Sequence, residues 1–160
     1  MSTSSTPTAS ASIEIEAPAD VVWKLVSDLS RMGEWSPETV KVEWKGGATA
    51  PAVGASFKGS NQNGNKKWST IGRIVEFAEP TDLAWEVTAG PGLKIAQWRY
   101  RIDEIDERSC RLTESTIDHR PSWMKYLGAL ASGVKERAPH NIAGMEATLA
   151  RIKEVAEFAP

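Results

Sequence analysis

The sequence contains little cysteine and little histidine. Its 160 residues include one cysteine, Cys110, and two histidines. A single cysteine excludes a disulfide within the chain and a zinc site built from several thiolates. Two histidines are too few for a three-imidazole metal site, and His119 and His140 stand in different sequence contexts. We therefore predict neither a bound metal nor any other cofactor.

The chain also lacks a basic surplus and a long apolar run. Its 19 Lys and Arg residues stand against 21 Asp and Glu, which gives a net charge of −2. The excess positive charge expected of a nucleic-acid-binding protein is therefore missing. No stretch approaches the apolar length that a membrane span needs, and the N-terminus does not resemble a secretory signal. We expect a cytoplasmic protein that binds no nucleic acid and does not span a membrane.

The aromatic composition is skewed toward tryptophan. Phe and Tyr are scarce, at three and two residues, whereas there are seven Trp. A tryptophan has a large apolar face and one N–H group, which suits it to a core or to the wall of a ligand pocket. The positions of these tryptophans along the chain therefore decide what the surplus means.

The N-terminal residues 1–11 are small and mostly polar. Such residues cannot bury enough apolar area to offset the entropy of ordering them, so we predict a disordered tail followed by a single domain over 12–158. The domain begins with a short alternating strand. Apolar residues at helical spacing then predict a helix over 19–29, and a second short helical turn follows over 30–35.

Six further short strands follow, each predicted from alternating apolar and polar residues between turn signals. No helix stands between them, so the strands should form an antiparallel meander. After Pro121 the apolar residues recur at helical spacing and predict one long C-terminal helix, which Pro139 must kink or split. The order predicts an α+β protein in which a curved antiparallel sheet of about seven strands wraps around that helix.

Several segments within this order resemble the START-like (SRPBCC) superfamily, and in particular its polyketide cyclase/dehydrase branch. They are residues 15–23, 26–28, 35–37, 53–54 with 57–61, 77–85 and 144–152, with Trp68 in the strand after residues 57–61. The resemblance covers nearly the whole domain and implies the helix-grip fold. It also implies a range of functions, because the superfamily includes lipid carriers, aromatase/cyclases, ring-hydroxylase subunits and chaperone activators.

A helix that grips a curved sheet leaves a tapered space, which large side chains either fill or line. We predict as ligand-binding the residues whose positions can face this space: Trp35, Phe57, Asn61, Trp68, Trp85, Trp98, Tyr100, Glu114, Met145 and Leu149. Ordinary core packing is the alternative for each tryptophan among them. The other tryptophans, Trp23, Trp44 and Trp123, are interpreted as scaffold.

The polar candidates have two interpretations each. If the face that carries Glu114 points inward, Glu114 is a buried carboxyl group with a raised pKa and a candidate proton acceptor. If that face points outward, Glu114 pairs with Arg99 or Arg101 across the strands, which we favour because glutamate is usually exposed. His140 could reach the mouth of a pocket, but we favour a solvated or capping role. A one-residue shift in register would reverse every face.

Three functions follow from these observations. The first is binding of an apolar small molecule, a lipid or a polyketide-like ring system, between the sheet and the C-terminal helix. The second is a cyclase or aromatase, which a buried Glu114 beside a Tyr or His would favour. The third is a protein-interaction module, which a filled core and an apolar outer face would favour. A homodimer is left open.

Overall fold

The alternating segments form one curved antiparallel sheet in the computed structural model, which describes residues 6–158. The strands are β1 (Ala9–Ile15), β2 (Thr39–Lys45), β3 (Ser56–Asn63), β4 (Lys66–Ala78), β5 (Asp82–Ala89), β6 (Leu93–Asp106) and β7 (Ser109–Asp118). The helices are α1 (Ala19–Ser27), α2 (Met32–Trp35), α3 (Ser122–Ser132) and α4 (Arg137–Phe158), with a 3₁₀ turn over Leu29–Arg31 before α2.

The strand order is β1-β7-β6-β5-β4-β3-β2, and every neighbouring pair is antiparallel. Strands β2 to β7 therefore form the predicted meander, and β1 adds to its last strand with Ile15 opposite Cys110. This arrangement confirms the predicted α+β helix-grip fold. None of the helices among residues 6–158 has the length and apolar character that crossing a membrane requires.

The first strand begins earlier than the sequence predicted. Ala9, Ser10 and Ala11 pair with β7, so the predicted disordered tail over 1–11 is wrong for these three residues. The Thr8 N–H also donates to the Thr116 carbonyl at 2.8 Å. Strand pairing uses main-chain groups, so small side chains do not prevent it. Residues 1–5 of the predicted tail lie outside the described residues.

The inward face of the sheet carries the core at the end nearest α1 and the last turns of α4. Buried apolar residues from the sheet and these helices pack together there: Ile15, Val22, Val26, Leu83, Ile102, Leu112, Leu149, Ile152 and Ala156. Because side chains alternate along each strand, the same face continues toward the other end of the sheet. There it is not fully covered by α4, and the cavity described below begins.

The C-terminal helical region is two helices rather than one. The break falls at Gly133, whose φ of 74° is the left-handed conformation that favours glycine, and its N–H caps α3 by donating to the Ala129 carbonyl at 2.9 Å. The predicted break at Pro139 is wrong in position. Pro139 lies in the first turn of α4, where a helix does not use the missing N–H.

Candidate functional site: a cavity between the sheet and the C-terminal helices

A cavity of about 450 Å³ lies between the inward face of the sheet and helices α3 and α4. Residues from β3 to β7 form its floor, and the segment from α2 to β2 contributes to its rim. The volume falls within the usual range for a small-molecule site, roughly 300–1,000 Å³. The space predicted between helix and sheet is therefore open rather than filled.

Aromatic side chains make up much of the floor. Trp85 lies at its centre, with its ring centroid 5.7 Å from Tyr100 and 6.4 Å from Phe57. Trp98 stands opposite Trp85 on the neighbouring strand, and Trp68 lines the wall farther along. Trp85 and Tyr100 are buried, whereas Trp68 and Trp98 are half-buried and turn part of their surface to the open space. The tryptophan surplus is thus concentrated in part around this cavity.

Glu114 lies in the floor of the cavity, opposite Tyr100 across the β6–β7 pair. Its side chain is buried, and Oε2 has no hydrogen-bond partner among the described residues. Burial raises the pKa of Glu114 to about 8, because no positive charge offsets the loss of water around the ionised form. Burial, and secondarily the charge of Glu114, also raises the pKa of Tyr100. At neutral pH Glu114 is therefore mainly a neutral carboxylic acid.

The predicted ion pair between Glu114 and Arg99 or Arg101 is wrong. Arg99 stands opposite Ser115, so it projects from the outer face of the sheet while Glu114 projects inward. The Arg99 guanidinium instead binds Glu76 Oε2 at 2.6 Å and Asp82 Oδ1 at 3.0 Å. Arg101 also lies on the outer face. The structure therefore agrees with the other alternative, in which Glu114 is a buried carboxyl group.

A cluster of polar and ionisable side chains, Glu38, Arg137 and His140, connects the two sides of the cavity rim. Arg137 Nη1 lies 2.9 Å from both carboxylate oxygens of Glu38, and His140 Nε2 lies 2.9 Å from Glu38 Oε2. The Arg137 guanidinium also stacks over the Trp68 ring, 5.5 Å from its centroid. His140 therefore reaches the mouth of the pocket, while its side chain stays 37% exposed to solvent. The cluster links the start of α4 to the segment before β2.

A second ion pair lies in the wall near the end of β7. Arg120 donates to Asp118 through Nε at 3.0 Å and Nη2 at 2.9 Å, and the Arg120 side chain is only 10% exposed. Burial raises the pKa of Asp118, but the hydrogen bonds and charge of Arg120 outweigh it and hold that pKa below its ordinary value. Within the described wall, both arginines, Arg120 and Arg137, thus already have carboxylate partners.

Asn61 lines the cavity but its amide is largely satisfied by the protein. The Thr39 hydroxyl donates to Oδ1 at 2.9 Å, and Nδ2 donates to the Thr70 hydroxyl at 3.2 Å. These bonds join β2, β3 and β4 at one edge of the floor. Asn61 therefore orders the wall and has little hydrogen-bonding capacity left for a ligand.

The predicted site residues divide into two groups. Phe57, Asn61, Trp68, Trp85, Trp98, Tyr100, Glu114 and Met145 all line the cavity. The predictions for Trp35 and Leu149 are wrong as to position, because both are core residues away from the wall. Trp35 is covered by the Arg31 guanidinium, 5.1 Å from the ring centroid. Leu149 belongs to the core cluster beneath the cavity.

Sequence reasoning missed the contribution of α3. Trp123 lines the cavity although it was assigned to the scaffold, and it remains 58% exposed. Leu127 lines the cavity from the next turn and is also exposed. The helical stripe that contains both residues was visible in the sequence. The assignment of Trp123 to the scaffold was wrong because α3 covers an open space rather than a packed one.

No group of three or more His, Cys, Asp or Glu side chains within residues 6–158 is placed to hold a metal ion. The chemistry available in the cavity is therefore that of aromatic surfaces, a neutral carboxylic acid, a buried phenol and two ion pairs. These groups can enclose an apolar body and hydrogen-bond to it at a small number of points.

The sheet, the C-terminal helices and the cavity between them define a helix-grip protein with an internal ligand-sized space. The family model described as polyketide cyclase/dehydrase and lipid transport matches residues 6–157. The chain belongs to this family, which confirms the resemblance seen in the sequence. The comparison with curated proteins gives no match.

Solved structures share the fold. A polyketide-cyclase-like protein from Corynebacterium glutamicum is 29% identical, with a TM-score of 0.60 over 94% of this chain and 91% of that one. A START superfamily protein from Mycobacterium smegmatis is 17% identical, with a TM-score of 0.67 over 92% and 97% of the two chains. The Zhui aromatase/cyclase from Streptomyces sp. R1128 is 16% identical, with a TM-score of 0.62 over 93% and 92%. The last two likenesses show the fold alone.

Proposed function

We propose that this protein binds an apolar small molecule, a lipid or a polyketide-like ring system, in the cavity between the sheet and helices α3 and α4. The observation that carries the proposal is that the aromatic side chains line a space of about 450 Å³ instead of filling it. Apolar area removed from water contributes about 25 cal/mol per Å². A ligand that covers this aromatic floor would therefore gain most of its affinity there.

The distribution of polar groups supports an uncharged or mainly apolar ligand. The described wall has three carboxyl groups. Two of them form ion pairs, Glu38 with Arg137 and Asp118 with Arg120. The remaining one, Glu114, is neutral at neutral pH because burial raises its pKa to about 8. The wall therefore offers no unpaired fixed charge among the described residues at that pH. The family description, which includes lipid transport, agrees with such a ligand.

The proposal is tested by identifying what the protein carries. Protein purified from its own host would be examined by native mass spectrometry, and any bound molecule would be extracted and identified. In parallel, tryptophan fluorescence would be followed while lipids and aromatic polyketides are added. We expect a co-purified apolar molecule or saturable quenching. Recovery of no molecule together with no quenching by any member of the panel would overturn the proposal.

A second candidate function is a cyclase or aromatase activity in the same cavity. Glu114, as a neutral acid opposite the buried phenol of Tyr100, could polarise a ligand carbonyl, and the enclosing walls could hold reacting carbons close together. The fold shared with the Zhui aromatase/cyclase adds fold-level support. Incubation with a polyketone and detection of a cyclised product that Glu114→Gln and Tyr100→Phe variants do not form would favour this candidate over simple binding.

The interaction module derived from the sequence required a filled space beneath an apolar outer face. The open cavity does not meet the first condition, so we rank this function below the other two. The cytoplasmic location and the homodimer stay predictions from the sequence.

A further inference from the structure

One buried oxygen atom in the described cavity wall lacks a hydrogen-bond partner. Glu114 lines the cavity, and Oε2 of its carboxyl group is buried with no hydrogen-bond partner among the described residues. A buried polar group without a partner costs about 1–3 kcal/mol, and most such groups in folded proteins are satisfied. On the two neighbouring strands, no described side chain forms a hydrogen bond with it, the Tyr100 hydroxyl included. The residues directly opposite are Ala11 on β1 and Tyr100 on β6, and Ala11 has no polar side-chain group.

We infer that Glu114 is the hydrogen-bond donor to an uncharged oxygen of the bound molecule, such as a carbonyl, hydroxyl or ether oxygen on an otherwise apolar body. In this role Glu114 is a specificity-determining residue, which selects such molecules against both hydrocarbons and carboxylates of the same shape. The inference rests on the proposed function, because it concerns a ligand in the same cavity.

The selection against hydrocarbons follows from the unpartnered carboxyl group. A hydrocarbon covering Glu114 leaves its polar atoms without a partner, whereas a ligand oxygen within reach satisfies the acid. A neutral carboxylic acid has one O–H donor and can still accept. A ligand hydroxyl or carbonyl can therefore use it without any change in charge.

The selection against carboxylates follows from the positions of the cations. An anion beside Glu114 would lose its water with no positive charge to replace it, because Arg120 and Arg137 are held by Asp118 and Glu38. The ionisable groups in the described cavity wall, besides Glu114, are Glu38, Tyr100, Asp118, Arg120, Arg137 and His140. The directly opposed group is the Tyr100 phenol, whose own pKa is raised by burial and by Glu114, so it adds no positive charge.

The test uses two sets of probes of similar size and shape that differ in one functional group. Fluorene, 9-fluorenone and fluorene-9-carboxylic acid form a tricyclic set with a hydrocarbon, a ketone and an anion, and tridecane, 2-tridecanone and tridecanoate form a linear set. Binding of each probe to the full chain and to the Glu114→Gln and Glu114→Leu variants would be measured by calorimetry. Gln keeps an N–H donor at every pH, and Leu removes the donor while keeping the bulk apolar.

We expect the wild type to bind the ketone of at least one set about three- to tenfold more tightly than its hydrocarbon, the ratio that one net hydrogen bond supplies. Glu114→Gln should keep this preference and Glu114→Leu should lose it. As a readout independent of affinity, the carbonyl stretch of bound 9-fluorenone or 2-tridecanone should shift to lower frequency in wild type and Glu114→Gln but not in Glu114→Leu.

The outcomes separate this inference from the function on which it rests. Equal binding of ketone and hydrocarbon by the wild type in both sets would overturn the inference and leave apolar binding intact. Tighter binding of the carboxylate than of the ketone would also overturn it. If no probe of either set binds, the proposed function fails and the inference fails with it. If Glu114→Leu does not fold, Glu114→Met, which also lacks a hydrogen-bond donor, takes its place in both measurements.

Discussion

The ring of Phe57 on β3 lies directly over Gly72 on β4, in the volume that a side chain at position 72 would occupy. This relationship lets an aromatic ring lie between Trp44 and Trp85, which contact it at centroid distances of 6.0 and 6.4 Å. Because Gly72 has no side chain, the floor of the cavity has room for the Phe57 ring.

The first prediction concerns Gly72. In Gly72→Ala the new methyl group would overlap the Phe57 ring, so the ring must move within a packed wall. Overpacking of this kind costs about 1–3 kcal/mol of unfolding free energy, measurable by chemical denaturation. Adding Phe57→Leu should recover part of this loss, because the smaller side chain frees the space.

The matched control for Gly72 is Gly144, which also lines the cavity but lies in helix α4. A Cβ at Gly144 would meet only Pro37 Cγ at 3.7 Å, an ordinary contact. Gly144→Ala should therefore stabilise the protein by up to about 1 kcal/mol through helix propensity. Equal effects of the two substitutions would contradict the assigned role of Gly72.

The second prediction concerns the pH dependence of stability. The pKa of Glu114 is raised to about 8 in the folded chain, so between its ordinary value and 8 the folded state holds a proton that the unfolded state releases. Stability therefore falls as the pH rises across this window, by about 1.4 kcal/mol per unit. Glu114→Gln removes the effect. Its stability relative to wild type should rise by about 3 kcal/mol between about pH 5 and about pH 7.

Thermal unfolding of both proteins over a pH series without ligand measures this difference. Ser115→Ala, on the outer face of the same strand, is the control for a local change in β7 that removes no ionisable group. A difference between Glu114→Gln and wild type that does not vary with pH would show that Glu114 is not held neutral in the fold.

The third prediction compares two tryptophans. Trp98 lines the cavity, whereas Trp44 packs edge-on against Phe57 without reaching the wall. Trp98→Ala should weaken binding of 9-fluorenone at least about tenfold, because contact with an aromatic face contributes on the order of 1.5 kcal/mol or more. Trp44→Ala should weaken it much less. Calorimetry is the suitable measurement, since both variants change the fluorescence, and equal losses would argue against the assigned wall.

The fourth prediction concerns the rim. Glu38→Gln removes the charge that binds both Arg137 and His140. We expect a loss of about 1 kcal/mol, since the Arg137 and Glu38 side chains are partly screened by solvent at 16% and 26% exposure. Hydrogen exchange should also become faster at residues 36–39 and 137–140 than elsewhere in the chain.

The control for the rim is Glu43→Gln, which breaks an ion pair with Lys41 whose side chains are 50% and 66% exposed. A pair this exposed contributes little, so the control should leave stability within about 0.5 kcal/mol of wild type. If exchange at the rim is unchanged in Glu38→Gln, the cluster does not hold the mouth of the cavity.

Alternation along the strands made much of the floor predictable. Alternation places Trp98 and Tyr100 on one face of β6, and the large apolar side chains of Trp85 and Phe57 mark the inward face of their own strands. The same alternation on β7 places Glu114 on the buried face with Cys110 and Leu112, although which face points inward stayed open in the sequence. The general tendency of glutamate to be exposed therefore favoured the wrong alternative.

The helical part of the site was less predictable. Apolar spacing predicts that a helix buries one face, but not whether that face meets a packed core or an open space. Leu149 and Trp123 show both errors, since Leu149 packs in the core and Trp123 lines the cavity. The break at Gly133 was missed because Pro139 is the stronger helix breaker in isolation, yet a proline in the first turn is harmless.

The placement of β1 and α4 side by side has a consequence for how the chain reaches this structure. Lys153 Nζ donates to the Glu14 carbonyl at 2.9 Å, across a separation of 139 residues. Contacts so distant in sequence raise the contact order and slow folding. During synthesis α4 is the last described element to leave the ribosome. The inward face of the sheet therefore lacks the cover of α4 until then, and nascent chains are most prone to aggregate just before α4 docks.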